Sequence, residues 1–423
     1  MKKIFLTAII FLLSFGKCAA QTPELAAAEI RLICAICSLG AYSDEGSSSL
    51  RSMLTANGWQ IETLSKKNNV ADAKAYLVSK GNVKILTVSG TENLKDLEVD
   101  LRAERVPYND DVPFDPNEKV ENQLFVHKGF SDYADVVLGD GLAERLKTLL
   151  AENPNAILYL TGHSLGGSAA IVMGLRLSDA GISKDRLKII TFASPAVGSR
   201  ALAESYEDKL DLTRVVMKGD IVKKSMNALG YVDFGNVIKY EAPGNDHHSE
   251  HKMIVYLDSV IRDYYKAGGN LQDEDIKDKI AAPVYVAPVL YDESHLKNSD
   301  EEVIFNVLND SLENYFGQLI FAEPRSIAGN AKDFMEPEVD AFINAGKNAG
   351  CKYVLIRILS AKKIRDASSG ERHVTLEEMI FDANGFLVSM QTAGTSTENL
   401  TLLEAALSAQ ETLNESAAEV FKK

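Results

Sequence analysis

Cysteine is scarce in this chain, with four in 423 residues. That is too few for the disulfide scaffold by which small secreted domains make up for a small core. Beyond the first twenty residues no run is long and apolar enough to cross a bilayer, which takes about twenty residues. Positive charge is in deficit, with 45 Lys and Arg against 60 Asp and Glu and a net charge of −15. This balance excludes binding to nucleic acid or to an anionic membrane through bulk charge. Histidine is rare as well, seven in all, so any chemistry that needs an imidazole has few candidates. What is present is the ordinary globular mix, 46 % hydrophobic and 25 % charged, which argues against disorder or a fibrous repeat. The length allows two or three domains.

The first twenty residues have their own layout. Lys2 and Lys3 precede an apolar run from Ile4 to Phe15, and Cys18-Ala19-Ala20 offers small residues before Gln21. Charge, short apolar run and small residues in that order predict a cleaved signal peptide over 1–20, too short to span a membrane. Its removal takes Lys2, Lys3 and Lys17 but no acid, so the net charge of −15 becomes −18. Lys17 disfavours lipid modification at Cys18, so the expectation is soluble export to the periplasm or the medium. Cys34, Cys37 and Cys351 remain. Cys34-Ala35-Ile36-Cys37 has the spacing of a redox or metal motif. It lies in an apolar helical stretch with no second pair nearby, which favours two small buried helix residues.

Between Pro23 and Tyr265 helical and strand-like runs alternate. Val83–Val88, Ile157–Leu160, Leu187–Phe192 and Arg214–Met217 read as short apolar strands. Pro23–Leu39, Phe130–Ala151 and Ser168–Leu177 read as helices. The alternation predicts an α/β fold with a mostly parallel sheet covered on both faces. Residues 266–282, with Ala267-Gly268-Gly269-Asn270 and a charged run from Asp273 to Asp278, read as a linker. A second, mixed α/β module follows over 283–423. Its strands are Val284–Leu290, Gln318–Phe321, Tyr353–Leu359, Val374–Phe381 and Phe386–Met390. Its helices are Glu301–Phe316, Val339–Ala349 and Leu400–Phe421, and Asn384-Gly385 signals a tight hairpin.

The chemistry concentrates in Gly162-His163-Ser164-Leu165-Gly166, a G-x-S-x-G pattern that follows an apolar strand and opens a small-residue helix. This is the setting a nucleophile elbow requires. The glycines permit a sharp turn and close packing, Ser164 is placed exposed at the strand's carboxyl end, and Leu165 N–H points where an oxyanion would form. A serine hydroxyl needs a histidine base oriented by a carboxylate. After Ser164 come His247, His248, His251, His295 and His373. The first three cluster before an apolar helix, and the i, i+4 pair His247 and His251 has metal-ligand spacing but no third ligand in sight. Asp220 leaves the carboxyl end of the Thr213–Met217 strand, on the sheet edge of Ser164. Asp208, Asp211 and Asp233 are weaker alternatives. Ser89-Gly90-Thr91 follows an earlier strand, and Thr91 is assigned as the second oxyanion donor.

With these residues in place, 25–265 resembles the class 3 lipases, the fungal-lipase-like branch of the α/β-hydrolases. The elbow Thr161–Gly167 is similar to the family's. So are Ser89-Gly90-Thr91 with Asp96–Leu101, Val126-His127-Lys128-Gly129-Phe130, and Phe192–Gly198. Asp220 falls where the family's acid stands. His251 followed by Lys252–Leu257 resembles the family's histidine before a tyrosine-bearing helix, which favours His251 over His247 and His248. The resemblance implies a serine hydrolase of lipid-like esters with Ser164, Asp220 and His251 as catalytic residues and Thr91 and Leu165 at the oxyanion. It implies a lipid or ester substrate and needs no metal or organic cofactor. Ser89, Leu97 and Ala196 stand where arginine, tryptophan and arginine are common, which leaves substrate preference open. Leu94, Leu97 and Leu101 share one helical face, as a lid meeting a lipid interface or as an ordinary surface helix. The second module faintly resembles bacterial envelope domains such as those of curli-export lipoproteins. It is expected to bind an envelope partner or to place the hydrolase.

Overall fold

The computed structural model describes residues 22–42, 45–64, 66–67, 72–90, 104–109, 113–222, 226–243, 248–271, 279–292, 298–322, 336–364 and 370–421. The signal-peptide expectation for 1–20, the candidate lid over 94–101 and the charged run 273–278 lie outside the described residues. The chain divides into two compact units. One is formed by residues 26–242 with 249–261. The other is formed by described residues of 243–248 and 262–423, together with residues 22–25.

The first unit is built on a seven-stranded sheet. Its strands are β1 (Gln60–Thr63), β2 (Ala75–Lys80), β3 (Val83–Val88), β4 (Ile157–His163), β5 (Leu187–Phe192), β6 (Asp211–Met217) and β7 (Asn236–Tyr240). They lie side by side in chain order. β1 to β3 run antiparallel to one another, and β3 to β7 are parallel. Both faces are covered, as parallel strands require. Four helices matter for the site: α1 (Pro23–Gly40), α2 (Lys128–Leu138), α3 (Leu165–Asp179) and α4 (Met253–Lys266). On one face Gly174 of α3 lies directly against Ile189 and close to Leu160, so that a side chain at 174 would collide with Ile189. Thr161 points to the other face, where its Oγ1 meets Ser38 Oγ of α1 at 3.0 Å. Thr87 Oγ1 also donates to the Cys37 carbonyl of α1 at 3.1 Å.

The hydrophobic drive is concentrated in β4. Leu158 and Leu160 are fully buried with Leu86, Val88, Ile189 and the α3 residues Ile171 and Val172. Each such side chain contributes roughly 1.5–3 kcal/mol by leaving water. Cys34 and Cys37 are free thiols buried on α1. Burial pushes the Cys34 thiol up to about 12, against a smaller opposing effect of its hydrogen bond with Thr161. Both thiols are packed inside the helix's buried face, in keeping with the buried-helix expectation.

The second unit carries a separate mixed sheet. Its strands are β8 (Ile280–Asp292), β9 (Phe316–Phe321), β10 (Tyr353–Lys363), β11 (Arg372–Asp382) and β12 (Leu387–Ser396), in the order β9-β8-β10-β11-β12. β8 pairs parallel with β9 and β10, whereas β11 and β12 are antiparallel. Helices α5 (Asn298–Tyr315), α6 (Glu336–Asn348) and α7 (Leu402–Phe421) cover it. Val284, Val286, Leu355 and Ile380 pack with Leu312 of α5 and Ala417 of α7. On the opposite face Tyr285, Ala287, Val354 and Ile356 pack with Phe342 of α6. The Asn384-Gly385 hairpin forms with Gly385 at φ +88°. Asp382 accepts from the N–H groups of Asn384 and Phe386 there.

Candidate active site

β4 delivers the chain to a sharp corner. Ser164 has φ 56° and ψ −124°, a region that L residues rarely enter, and α3 begins at the next residue. Strain of this kind costs roughly 1–3 kcal/mol and persists only where the surroundings enforce it. The enforcement comes from glycines. A Cβ at Gly162 would lie 2.5 Å from the Gly166 carbonyl carbon. A Cβ at Gly166 would collide with the Val88 carbonyl oxygen. Strand, corner and helix can approach this closely only without those side chains. Leu165 opens α3, so its N–H belongs to the first turn, where backbone donors have no acceptor within the helix.

Ser164 is only 3 % exposed, not exposed as its strand-end position suggests, because an imidazole sits directly upon it. His251 Nε2 lies 2.9 Å from Ser164 Oγ. His251 Nδ1 lies 3.1 and 3.0 Å from the two Asp220 oxygens. A carboxylate can only accept, so Nδ1 carries the proton and Nε2 turns its lone pair to the serine hydroxyl. Asp220 follows β6 across Gly219, which takes φ +96°. The structure thus brings Ser164, Asp220 and His251 together from positions 31 and 87 residues apart.

The other candidates lie elsewhere. Asp211 begins β6, at the sheet edge away from Ser164, and pairs with Lys188 at 2.6 Å. Asp233 pairs with the buried Arg214 at 2.5 Å. Asp208 precedes β6 at that same far edge. His248 Nε2 is 3.0 Å from the Leu400 carbonyl, and His373 stands exposed on β11. His247, His295 and Thr91 lie outside the described residues.

Asp220 is deeply buried, which by itself raises a carboxyl's pKa. The hydrogen bond and charge of His251, the Tyr256 hydroxyl and the Val222 N–H outweigh burial and hold it below the usual aspartate value. Tyr256, on α4, donates to Asp220 Oδ2 at 2.8 Å and accepts from Met217 N–H at 2.9 Å. The tyrosine-bearing helix was legible in the sequence, but the role of its ring was not. A second buried ring, His163, lies beside the first, with ring centroids 4.9 Å apart. Its Nδ1 is 2.6 Å from Tyr42 Oη and its Nε2 is 2.7 Å from the His251 carbonyl. Burial, reinforced by the neighbouring His251, pushes its pKa down to about 3 and keeps it neutral. In the sequence His163 is only the variable position before the elbow serine, and nothing local links it to Tyr42, 121 residues away. Tyr133 on α2 accepts from Lys74 N–H and donates to the Ser89 carbonyl at 3.2 Å, fixing the end of β3.

Residues 85–229 match the family model of class 3 lipases. Over 119 residues the chain is 32 % identical to a chloroplastic phospholipase A1, PLIP1, of Arabidopsis thaliana, covering 27 % of this chain and 18 % of that protein. Over 107 residues it is 32 % identical to a secreted mono- and diacylglycerol lipase of Penicillium cyclopium, covering 25 % of this chain and 34 % of the relative. The chain therefore spans about a fifth to a third of the length of these curated relatives. Among solved structures, the native Rhizomucor miehei lipase propeptide complex aligns at 21 % identity over 52 % of this chain and 69 % of its own, with a TM-score of 0.42. The segment matched by the class 3 lipase model lies within the first unit and contains the strand, corner and helix around Ser164. The envelope kinship expected for the second module finds no support among these proteins.

Proposed function

We propose that this protein is a serine hydrolase cleaving carboxylic esters of lipid-like substrates through an acyl-enzyme. One observation carries the reading. A serine on a strained elbow, a histidine and a buried carboxylate are linked in one hydrogen-bonded line, at 2.9 Å and 3.0 Å. In this scheme Ser164 Oγ attacks the ester carbonyl carbon while His251 Nε2 takes its proton. The carbonyl π electrons move to oxygen, where the N–H of Leu165 and that of Thr91 stabilise the oxyanion, each worth roughly 2.7–4 kcal/mol of barrier. The intermediate collapses, the imidazolium protonates the departing alkoxide, and water, deprotonated by His251, then releases the acyl group. Asp220, held ionised, keeps the His251 tautomer and stabilises its cation.

The named relatives act on different glycerolipids, so triacylglycerol-type and phospholipase A1-type activities belong to the same proposal. Export through residues 1–20 is part of it as well. No described helix is long and apolar enough to cross a membrane. A fluorophosphonate probe tests the chemistry: wild type is expected to label and Ser164→Ala to remain blank. A wild-type protein that takes no label and turns over no p-nitrophenyl ester or phospholipid overturns the enzyme reading in favour of a non-catalytic binding protein.

A further inference from the structure

We propose that Tyr42 and His163 form a positioning pair that holds the general base in register with the nucleophile through the base's own main chain. The inference rests on the hydrolase reading above. The His251 carbonyl can only accept, so the 2.7 Å contact requires that His163 Nε2 carry a hydrogen and donate it. A neutral ring has one N–H, so Nδ1 is the acceptor and the Tyr42 hydroxyl the donor, at 2.6 Å. Tyr42 thereby selects the tautomer of His163, and His163 fixes the His251 backbone. Its lever is short, because the ring that holds the base belongs to the residue immediately before Ser164. Nucleophile and base are thus tied to one rigid corner of the sheet.

The same pair reaches a third segment. A Cβ at Gly90 would lie 2.6 Å from the His163 carbonyl oxygen and 2.7 Å from Tyr42 Oη. The chain leaving β3 toward Thr91 therefore runs in contact with both residues, and only glycine fits there. His163 is 5 % exposed, so neither of its hydrogen bonds can be replaced readily by bulk water. Removing one partner leaves a buried polar atom unsatisfied. A base displaced by even an ångström loses efficiency out of proportion to the movement.

The test is a set of variants assayed on p-nitrophenyl butyrate, with thermal melting alongside. Tyr42→Phe is expected to lower kcat about tenfold with KM unchanged. In a His251→Ala background the same substitution is expected to change the residual rate less than twofold, because a residue acting through the base has nothing left to act on. His163→Gln keeps an N–H donor at the position of Nε2 and is expected to retain activity within about threefold, whereas His163→Phe loses about a hundredfold. If His163→Phe does not fold, Tyr42→Phe decides alone. A Tyr42→Phe protein within twofold of wild type overturns the proposal. Losses that multiply fully with His251→Ala overturn it too, since the effect then bypasses the base. Wild-type turnover in Ser164→Ala and His251→Ala overturns the hydrolase reading instead.

Discussion

Both units bury polar side chains, but in different places. In the first unit Ser164, His163, His251 and Asp220 gather at the carboxyl ends of the parallel strands. Strain gathers there too. Ser164 after β4 and Ala193 after β5 have φ of 56° and 54°, with Asp140 at φ 50° in a turn between helices the one other described non-glycine residue so placed, and among the described residues of the second unit only glycines take positive φ. In that second unit the buried polar groups lie inside the sheet–helix layer. Arg357 on β10 stands opposite Glu378 on β11. Arg357 donates to Asn309 of α5 at 2.5 Å and to Gln410 of α7 at 2.9 Å. Gln410 continues to Glu378 and Asn414. Asn414 reaches Ser311, which donates to Glu411. The difference teaches how to read a buried polar cluster. A closed network between layers specifies how helices dock, whereas a cluster on strained backbone at strand ends holds a hydroxyl against an imidazole, the arrangement the proposed chemistry needs.

The sharpest way to break this contrast is substitution within each cluster. Ser164→Ala is expected to lower kcat at least a thousandfold with an unchanged melting curve, measured on a soluble ester. Arg357→Ala is expected to act in the opposite sense. It removes one partner of a buried charged network and destabilises the second unit by roughly 3–5 kcal/mol in urea unfolding, with ester turnover of the folded protein retained. A Ser164 variant that unfolds, or an Arg357 variant that loses turnover while folded, would erase the distinction.

Acidity separates the units next. Burial raises Glu378 to about 7, against the opposing charge of Arg357. Burial likewise raises Glu411 to about 7, partly offset by Ser311 and Tyr315. Both carboxyls hold protons more tightly folded than unfolded. Their contribution to the second unit's stability is therefore full below the ordinary glutamate range and is lost, roughly 3 kcal/mol per group, as pH climbs through about 7. Asp220 has the opposite sign. Its pKa is lowered, so its contribution is present above the usual aspartate value and fades as pH falls below it. Unfolding of each unit followed across pH 4–8 checks both signs, and a second unit that gains stability on going from pH 5 to 8 would contradict the network's burial.

Smaller effects sharpen the picture. Tyr256→Phe is expected to cost about tenfold in kcat by releasing Asp220, with KM unchanged. Gly385→Ala, at φ +88°, is expected to destabilise the hairpin by about 1 kcal/mol without any change in turnover.

What the sequence determined is whatever short-range physics writes into neighbouring residues. Alternating strand and helix periods foretold a mostly parallel sheet, the Asn384-Gly385 pair foretold its hairpin, and Gly162-x-Ser164-x-Gly166 foretold a corner that only glycines allow. The order of elements also narrowed the carboxylate to Asp220, because residues leaving a parallel strand share one sheet edge. The tertiary structure decided which distant groups meet. Tyr42 with His163, Tyr256 with Asp220, and Arg357 with Asn309 and Gln410 are joined by no local pattern. Such contacts are set by how helices dock on a sheet, and docking depends on the summed packing of many side chains, which no window of sequence contains.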